Sequence, residues 1–363
     1  MSYLKKTIGG ALLAGIGLLI PGGASAESNP IFKDAFTADP APMIYKDTVY
    51  VYVGQDEGKD GATGGDVYNM TGWRCYSSKD MKTWTSHGSV LKPTDFKWAI
   101  KDAWASQVVA KDGKFYYYVT VQHDKTHNGK AVGVAVADSP TGPFTDARGT
   151  ALVTEEMTTG GGWNDIDPTV LIDDDGTAWM AWGNGTCFIA KLKPNMTELD
   201  GEIRTIKLPS YVEGPWLHKH KDTYYLIYAG FGKGAENIQY ATAPKITGPW
   251  TPRGVLIGSA KNSFTTHPGV IDFKGQGYAF YHNGMLTLNG QKGSGGRRSV
   301  CLDYMYYNPD GTLQLVTQTV EGVDVPPSPP TTDTTPSTTT LSAQPVELQP
   351  MSKNPPQRPQ RSK

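Results

Sequence analysis

Three acidic residues stand at matching points of a repeated pattern: Asp39 before Pro40, Asp167 before Pro168, and Glu213 before Gly214-Pro215. Each opens an apolar or aromatic run. Carboxylates gathered in one pocket raise one another's pKa, so a group of three is costly unless one must hold a proton while another stays ionised. That division of labour is what cleavage of a glycosidic bond requires. Taken singly, Asp before Pro and Glu before Gly are ordinary turn residues. Three at equivalent entries favour chemistry. Asp165, two residues before Asp167, falls on the same side of an extended chain and is expected to support the same pocket, against substrate. Asp47, Asp112, Asp173 to Asp175 and Asp222 lie at the opposite turns and read as solvated turn formers.

The elements that must carry these acids are hairpins. Residues 164–183 read NDIDPTVLIDDDGTAWMAWG, two β-branched or aromatic runs separated by an Asp/Gly turn. The same shape recurs from Asp39 with a turn at Lys46-Asp47, and from Trp104 with a turn at Lys111-Asp112-Gly113. It recurs again from Glu213 with a turn near Lys221-Asp222, and from His267 with a turn at Lys274 to Gly277. Each hairpin is followed by a third strand and a more polar outer one. Repeats that start roughly 45–65 residues apart are in the range of propeller blades. Four-stranded blades around an axis bury both sheet faces and leave only short edges. The fold expected is all-β, a five-bladed β-propeller. A plain sandwich would not explain the repeated X-Pro and X-Gly entries. A propeller also gathers the starts of its innermost strands at one end of the axis, which is where the three acids fall.

The 363 residues carry a formal net charge of −1 and no basic stripe, which argues against a nucleic-acid partner. Residues 1–26 have the parts of a secretory signal: Lys5-Lys6, an apolar run over 11–20, and Ala24-Ser25-Ala26 as a cleavage site. The apolar run is too short for a comfortable membrane span. The expectation is a mature chain starting near Glu27, secreted or periplasmic. Cys75, Cys187 and Cys301 lie in separate repeats without metal-ligand spacing and read as small buried residues with free thiols. The domain expected covers 27–323. Beyond it, 324–363 is Pro/Thr-rich and then polar and basic, and reads as a disordered linker or tail.

The ordered set Thr37-Ala38-Asp39-Pro40-Ala41-Pro42, Asp165-Ile166-Asp167-Pro168-Thr169 and Val212-Glu213-Gly214-Pro215-Trp216 resembles glycoside hydrolase family 43. Asp102-Ala103-Trp104-Ala105, Thr266-His267-Pro268-Gly269 and Gly296-Arg297-Arg298-Ser299-Val300 extend the resemblance over about 29–323. It implies β-xylosidase, α-L-arabinofuranosidase or arabinanase activity on a five-bladed propeller. Position by position it implies Asp39 as the general base on water and Glu213 as the general acid. Asp167 would raise the pKa of Glu213 and hold it in place, in an inverting single displacement. Of the alternating pair Arg297 and Arg298 only one can face the pocket, and the resemblance favours Arg298 as the sugar-binding arginine. Trp104 would pack on the sugar or in the core. The resemblance also implies a structural Ca²⁺ ion near His267, one the chemistry does not need, although Ca²⁺ prefers oxygen ligands.

The inserts 55–72 and 121–130 would wall one end of the pocket and favour removal of terminal sugars. The substrate expected is therefore terminal β-D-xylose or α-L-arabinofuranose on plant cell-wall oligo- or polysaccharide. An endo-arabinanase and a non-catalytic carbohydrate-binding propeller are the rivals, and the three acids argue against the latter. A sialidase-like propeller, suggested by the turn Ser78 to Trp84, lacks an arginine triad at its strand entries.

Overall fold

The computed structural model describes residues 29–232, 234–328 and 344–351; the expected signal, 1–26, lies outside them. Blade 1 is β1 (Thr37–Tyr45), β2 (Thr48–Asp56), β3 (Met70–Ser78) and β4 (Thr85–Leu91). Blade 2 is β5 (Ala99–Lys111), β6 (Lys114–His123), β7 (Lys130–Ala137) and β8 (Thr145–Asp146). Blade 3 is β9 (Thr169–Ile172), β10 (Ala178–Trp182), β11 (Cys187–Leu192) and β12 (Leu199–Ile206). Blade 4 is β13 (Tyr211–His220), β14 (Thr223–Phe231), β15 (Glu236–Ala243) and β16 (Thr251–Ile257). Blade 5 holds β17 (Gly269–Phe273), β18 (Gln276–Asn283) and β21 (Ser299–Met305), with a small hairpin of β19 (Thr287–Leu288) and β20 (Gln291–Lys292) inserted. β1, β5, β9, β13 and β17 each pack on the next, and β17 returns to β1, which makes the ring.

Local sequence explains the inner hairpins. Tyr45 pairs with Thr48, Lys111 with Lys114, His220 with Thr223 and Phe273 with Gln276, so each turn has two residues. In the second turn Asp112 and Gly113 both have positive φ (51° and 77°), the geometry whose twist matches the flanking strands. Both faces of a blade are apolar. Along β2, Val49, Val51 and Val53 pack with Phe280, Val300 and Leu302 of blade 5, whereas Tyr52 on the other face packs with Trp73 and Tyr117. The alternation is apolar on both sides because each sheet lies between two others. Cys75, Cys187 and Cys301 are buried and unpaired, in blades 1, 3 and 5.

Two features depart from the four-strand repeat. Blade 5 has three strands, and the run before β1 lies beside β21: Ile31 N–H donates to Val300 O at 2.8 Å and Thr37 N–H to Arg298 O at 2.9 Å. Blades 5 and 1 approach so closely that a Cβ on Gly269 would meet Pro40 O at 2.3 Å. Part of the expected tail is also ordered against the ring. β22 (Gln349–Pro350) adds to the edge of β12, and Val346 and Trp250 exchange backbone hydrogen bonds of 2.7 and 2.8 Å. Val346 and Leu348 pack on the cluster around Trp250, and Met351 on the blade 3 core. Three spaced apolar residues suffice to seat this short strand, although the stretch as a whole is polar.

Candidate active site

The strand entries bend in a way that turns side chains toward the axis. Asp39 (φ 56°) and Asp167 (φ 61°) adopt the left-handed conformation, each followed by proline. Short polar side chains tolerate this region better than other L-residues, and such strain collects where side-chain aim matters. In blade 4 the equivalent slot is Gly214 (φ 58°), so Glu213 stands one residue upstream and reaches the axis with its longer side chain. Backbone partners fix the entries. Asp167 N–H donates to the Thr120 hydroxyl at 2.8 Å, and Gly214 N–H donates to Asp167 Oδ2 at 2.9 Å.

His267 lies among the three acids. Its Nδ1 is 3.3 Å from Asp39 Oδ1, while Nε2 is 3.2 Å from Glu213 Oε1 and 3.9 Å from Asp167 Oδ2. Burial opposes its charge, but Asp39, Asp167 and Glu213 together raise its pKa to about 10. Burial pushes Asp167 up to about 8 against the pull of His267, and the charges of Glu213 and Asp39 add to the rise. Burial also acts to raise Glu213, but the His267 bond and charge, the Asn184 amide and Arg298 outweigh it, and its pKa lies below the ordinary value. Asp167 is thus raised and Glu213 lowered, because Glu213 has the closer His267 contact (3.2 Å against 3.9 Å) and the Asn184 amide besides.

Arg298 is buried and fixed. It makes a two-pronged contact to Asp56 at 2.8 and 2.9 Å, and Nη1 reaches Asp39 Oδ1 at 3.2 Å and Thr265 Oγ1 at 3.3 Å. Arg297 points the other way, to Asp60 and the carbonyls of Gly58 and Lys292. The alternation therefore places Arg298 at the pocket. His282, held well below its ordinary pKa by burial and by the charge of Arg298, accepts the Asp39 N–H on Nδ1 at 3.2 Å.

The acids floor a cavity of about 300 Å³. Tyr68, Met70, Trp104, Trp163, Asn184, Glu236, Phe264, Thr265 and Arg298 form its walls. Tyr68 and Met70 come from the first long insert, as expected. Trp104 borders the cavity, but Lys130 Nζ lies 3.5 Å from its ring centroid and its Nε1–H donates to Tyr68 O at 3.0 Å, so it is also packed wall. Asp165 is not in the lining. It accepts from Thr158 Oγ1 at 2.8 Å and Trp182 Nε1 at 3.0 Å inside blade 3, because the left-handed turn at Asp167 breaks the alternation that would have kept the two acids together. Burial raises its pKa to about 7. Asp56, Asn184, Glu236 and His282 are not distinguished by sequence: Asp56 falls in the first insert, His282 closes the fifth hairpin, and Asn184 and Glu236 belong to no repeated motif.

Asp167, Glu213 and His267 each offer one ligand atom within 4.8 Å of the others. Two carboxylate oxygens and one nitrogen fall short of the six to eight oxygen ligands of Ca²⁺, so waters would have to complete the shell of an ion here. His267, expected to contact a calcium ion, here spans the acids itself.

A propeller with acids, an arginine and aromatic walls at the mouth of its axis is a carbohydrate-cleaving architecture. The model of glycosyl hydrolases family 43 matches residues 28–313, and the chain belongs to that family; it is a glycosidase acting on O-glycosyl bonds. It is 31% identical to an arabinoxylan arabinofuranohydrolase of Bacillus subtilis, over 82% of this chain and 65% of that one. It is 30% identical to a β-D-galactofuranosidase of Aspergillus niger, over 82% and 86%. Among solved structures, a β-xylosidase/α-arabinofuranosidase from a compost metagenome, in complex with xylotriose and in calcium-free form, superposes with TM-score 0.71 at 26% identity, covering 81% of this chain and 98% of that one. An α-L-arabinofuranosidase of Clostridium thermocellum gives TM-score 0.65 at 32% identity, covering 82% and 98%.

Proposed function

We propose that the protein is an exo-acting hydrolase that removes terminal β-D-xylose or α-L-arabinofuranose from xylan- or arabinoxylan-derived chains, with inversion. The observation that carries this reading is the placement of Asp39 and Glu213 on opposite nitrogens of one imidazole, at 3.3 and 3.2 Å. The two acids are thus held on either side of the ring and not against each other, and an inverting pair needs carboxyls set roughly 6.5–9.5 Å apart so that water fits between acid and sugar. Asp39 then takes a proton from water as its oxygen attacks the anomeric carbon. Arg298 and His267, 3.2 and 3.3 Å from Asp39 Oδ1, hold its carboxyl in position for that step. Glu213, more exposed than Asp167 (14% against 4% of its side chain), delivers a proton to the leaving oxygen. Asp167, His267 and Glu213 act as one proton-holding group, so the proton that rests on Asp167 is available to Glu213 as the bond breaks. A walled cavity of about 300 Å³ suits one terminal sugar better than a chain passing through. The arabinoxylan arabinofuranohydrolase, the β-xylosidase/α-arabinofuranosidase and the α-L-arabinofuranosidase named above support the pentose classes, and the β-D-galactofuranosidase does not. The signature in 1–26 supports export, with action outside the cytoplasm.

The test is release of nitrophenol by protein lacking residues 1–26 from p-nitrophenyl β-D-xylopyranoside, α-L-arabinofuranoside and β-D-galactofuranoside. Turnover of either pentoside above the galactofuranoside is the expected result. Turnover of the galactofuranoside alone, or of none of the three, would overturn the assignment.

A further inference from the structure

The pocket contains a carboxyl that this mechanism does not use. Glu236 opens β15, is 1% exposed, and borders the cavity beside Glu213, Phe264 and Thr265. Its N–H donates to Phe264 O at 2.9 Å, and its Oε2 accepts from Thr266 N–H at 3.2 Å. Both bonds tie it to the segment that leads into His267. Among the described residues no Lys, Arg or His comes within ion-pair distance of it, in contrast to Asp39, Asp56 and Glu213. A buried carboxyl without a cation takes up a proton rather than carry an unpaired charge. Burial and the neighbouring Glu213 charge accordingly push Glu236 well above its ordinary pKa. One oxygen is committed to the Thr266 amide, and the other is left to a ligand in the cavity. A neutral carboxyl can donate as well as accept, as a sugar hydroxyl demands of its partner.

We propose that Glu236 is a sugar-binding residue, whose carboxyl, anchored on the Thr266 amide, hydrogen-bonds one hydroxyl of the terminal sugar and orients the ring over Asp39 and Glu213. The inference rests on the pentosidase reading above and assigns a further contact within that site. Glu236 approaches the cavity from blade 4, beside Glu213, whereas Arg298 enters from the segment before β21.

Glu236→Gln keeps the shape with one donor and one acceptor, whereas Glu236→Leu keeps the volume and removes both. On the preferred aryl pentoside, Glu236→Leu should lower kcat/KM at least about tenfold, the scale of a lost buried hydrogen bond to substrate, while Glu236→Gln stays within about threefold of wild type. On a panel of monodeoxy aryl pentosides, the gap between wild type and Glu236→Leu should close for the one sugar that lacks the contacted hydroxyl. If Leu prevents folding, Glu236→Ser serves in the same comparison. A gap below twofold on the parent sugar, or an equal gap on every deoxy sugar, would overturn the inference while leaving the pentosidase reading intact. A wild type inactive on both pentosides overturns that reading, and this inference with it.

Discussion

Asp165 and Asp167 are two residues apart in sequence, and the structure gives them separate tasks. Asp167 faces the axis, whereas Asp165 is buried in blade 3 between Thr158 and Trp182. Its ordinary value is 3.8, and burial lifts it to about 7. A group whose pKa is raised by folding lends stability that is complete below the unfolded value and is lost as pH rises through the folded one. The effect of Asp165 is therefore full below about pH 4 and gone above about pH 7. Desolvation is the main cause, and the charges of Glu155 and Glu156 add to it. Asp165→Asn mimics the neutral form and should flatten the fall of Tm between pH 4 and 7, leaving the variant more stable than wild type at pH 8 by on the order of 3 kcal/mol. Calorimetry at four or five pH values reads this directly; parallel Tm curves for the two proteins would contradict it. Residue types alone exposed Asp39, Asp167 and Glu213. They could not separate Asp165 from Asp167, because the deciding feature is a single left-handed φ.

The strand entries are the elements that make chemistry from turns. Asp39 and Asp167 are each left-handed before proline, and Gly214 takes the same conformation so that Glu213 can precede it. A Cβ on Gly214 would stand 3.0 Å from His267 Cδ2 and impose the left-handed penalty as well. Gly214→Ala should cost about 1–2 kcal/mol of stability. By shifting His267 and Glu213 it should lower kcat/KM about a hundredfold, because small misplacements at a reacting centre are expensive. An active Gly214→Ala protein with only its Tm lowered would separate the glycine from the site. These entries were legible because X-Pro and X-Gly recur ahead of apolar runs. Asp56 at the end of β2, Glu236 at the head of β15 and Asn184 between β10 and β11 were not. They become neighbours of the acids only once blades from distant parts of the chain close round the axis.

At the scale of the molecule, period and pattern disclosed five hairpins and hence a ring, but not how the ring is finished. The run 29–37 beside β21 and the strand at Gln349–Pro350 depend on pairings between distant parts of the chain, which composition averages away, and the last blade ends at its third strand. Removing 341–363 takes Val346 and Leu348 off the cluster around Trp250. The expected result is a Tm lower by about 2–5 °C, as a loss of 1–2 kcal/mol gives in a domain of this size, with kcat/KM unchanged. An unchanged Tm would show that the strand adds nothing to the ring. The account as a whole rests on Asp39 and Glu213 as the base and acid of one displacement. Its most direct test is the turnover of the preferred aryl pentoside and of a matched xylo-oligosaccharide by wild type, Asp39→Asn and Glu213→Gln, all shown folded by Tm. Asp39→Asn should lose about 10³-fold or more in kcat on both substrates. Glu213→Gln should lose as much on the oligosaccharide and less on the aryl glycoside, whose leaving group needs little protonation. Wild-type turnover of the oligosaccharide by either variant would contradict the account.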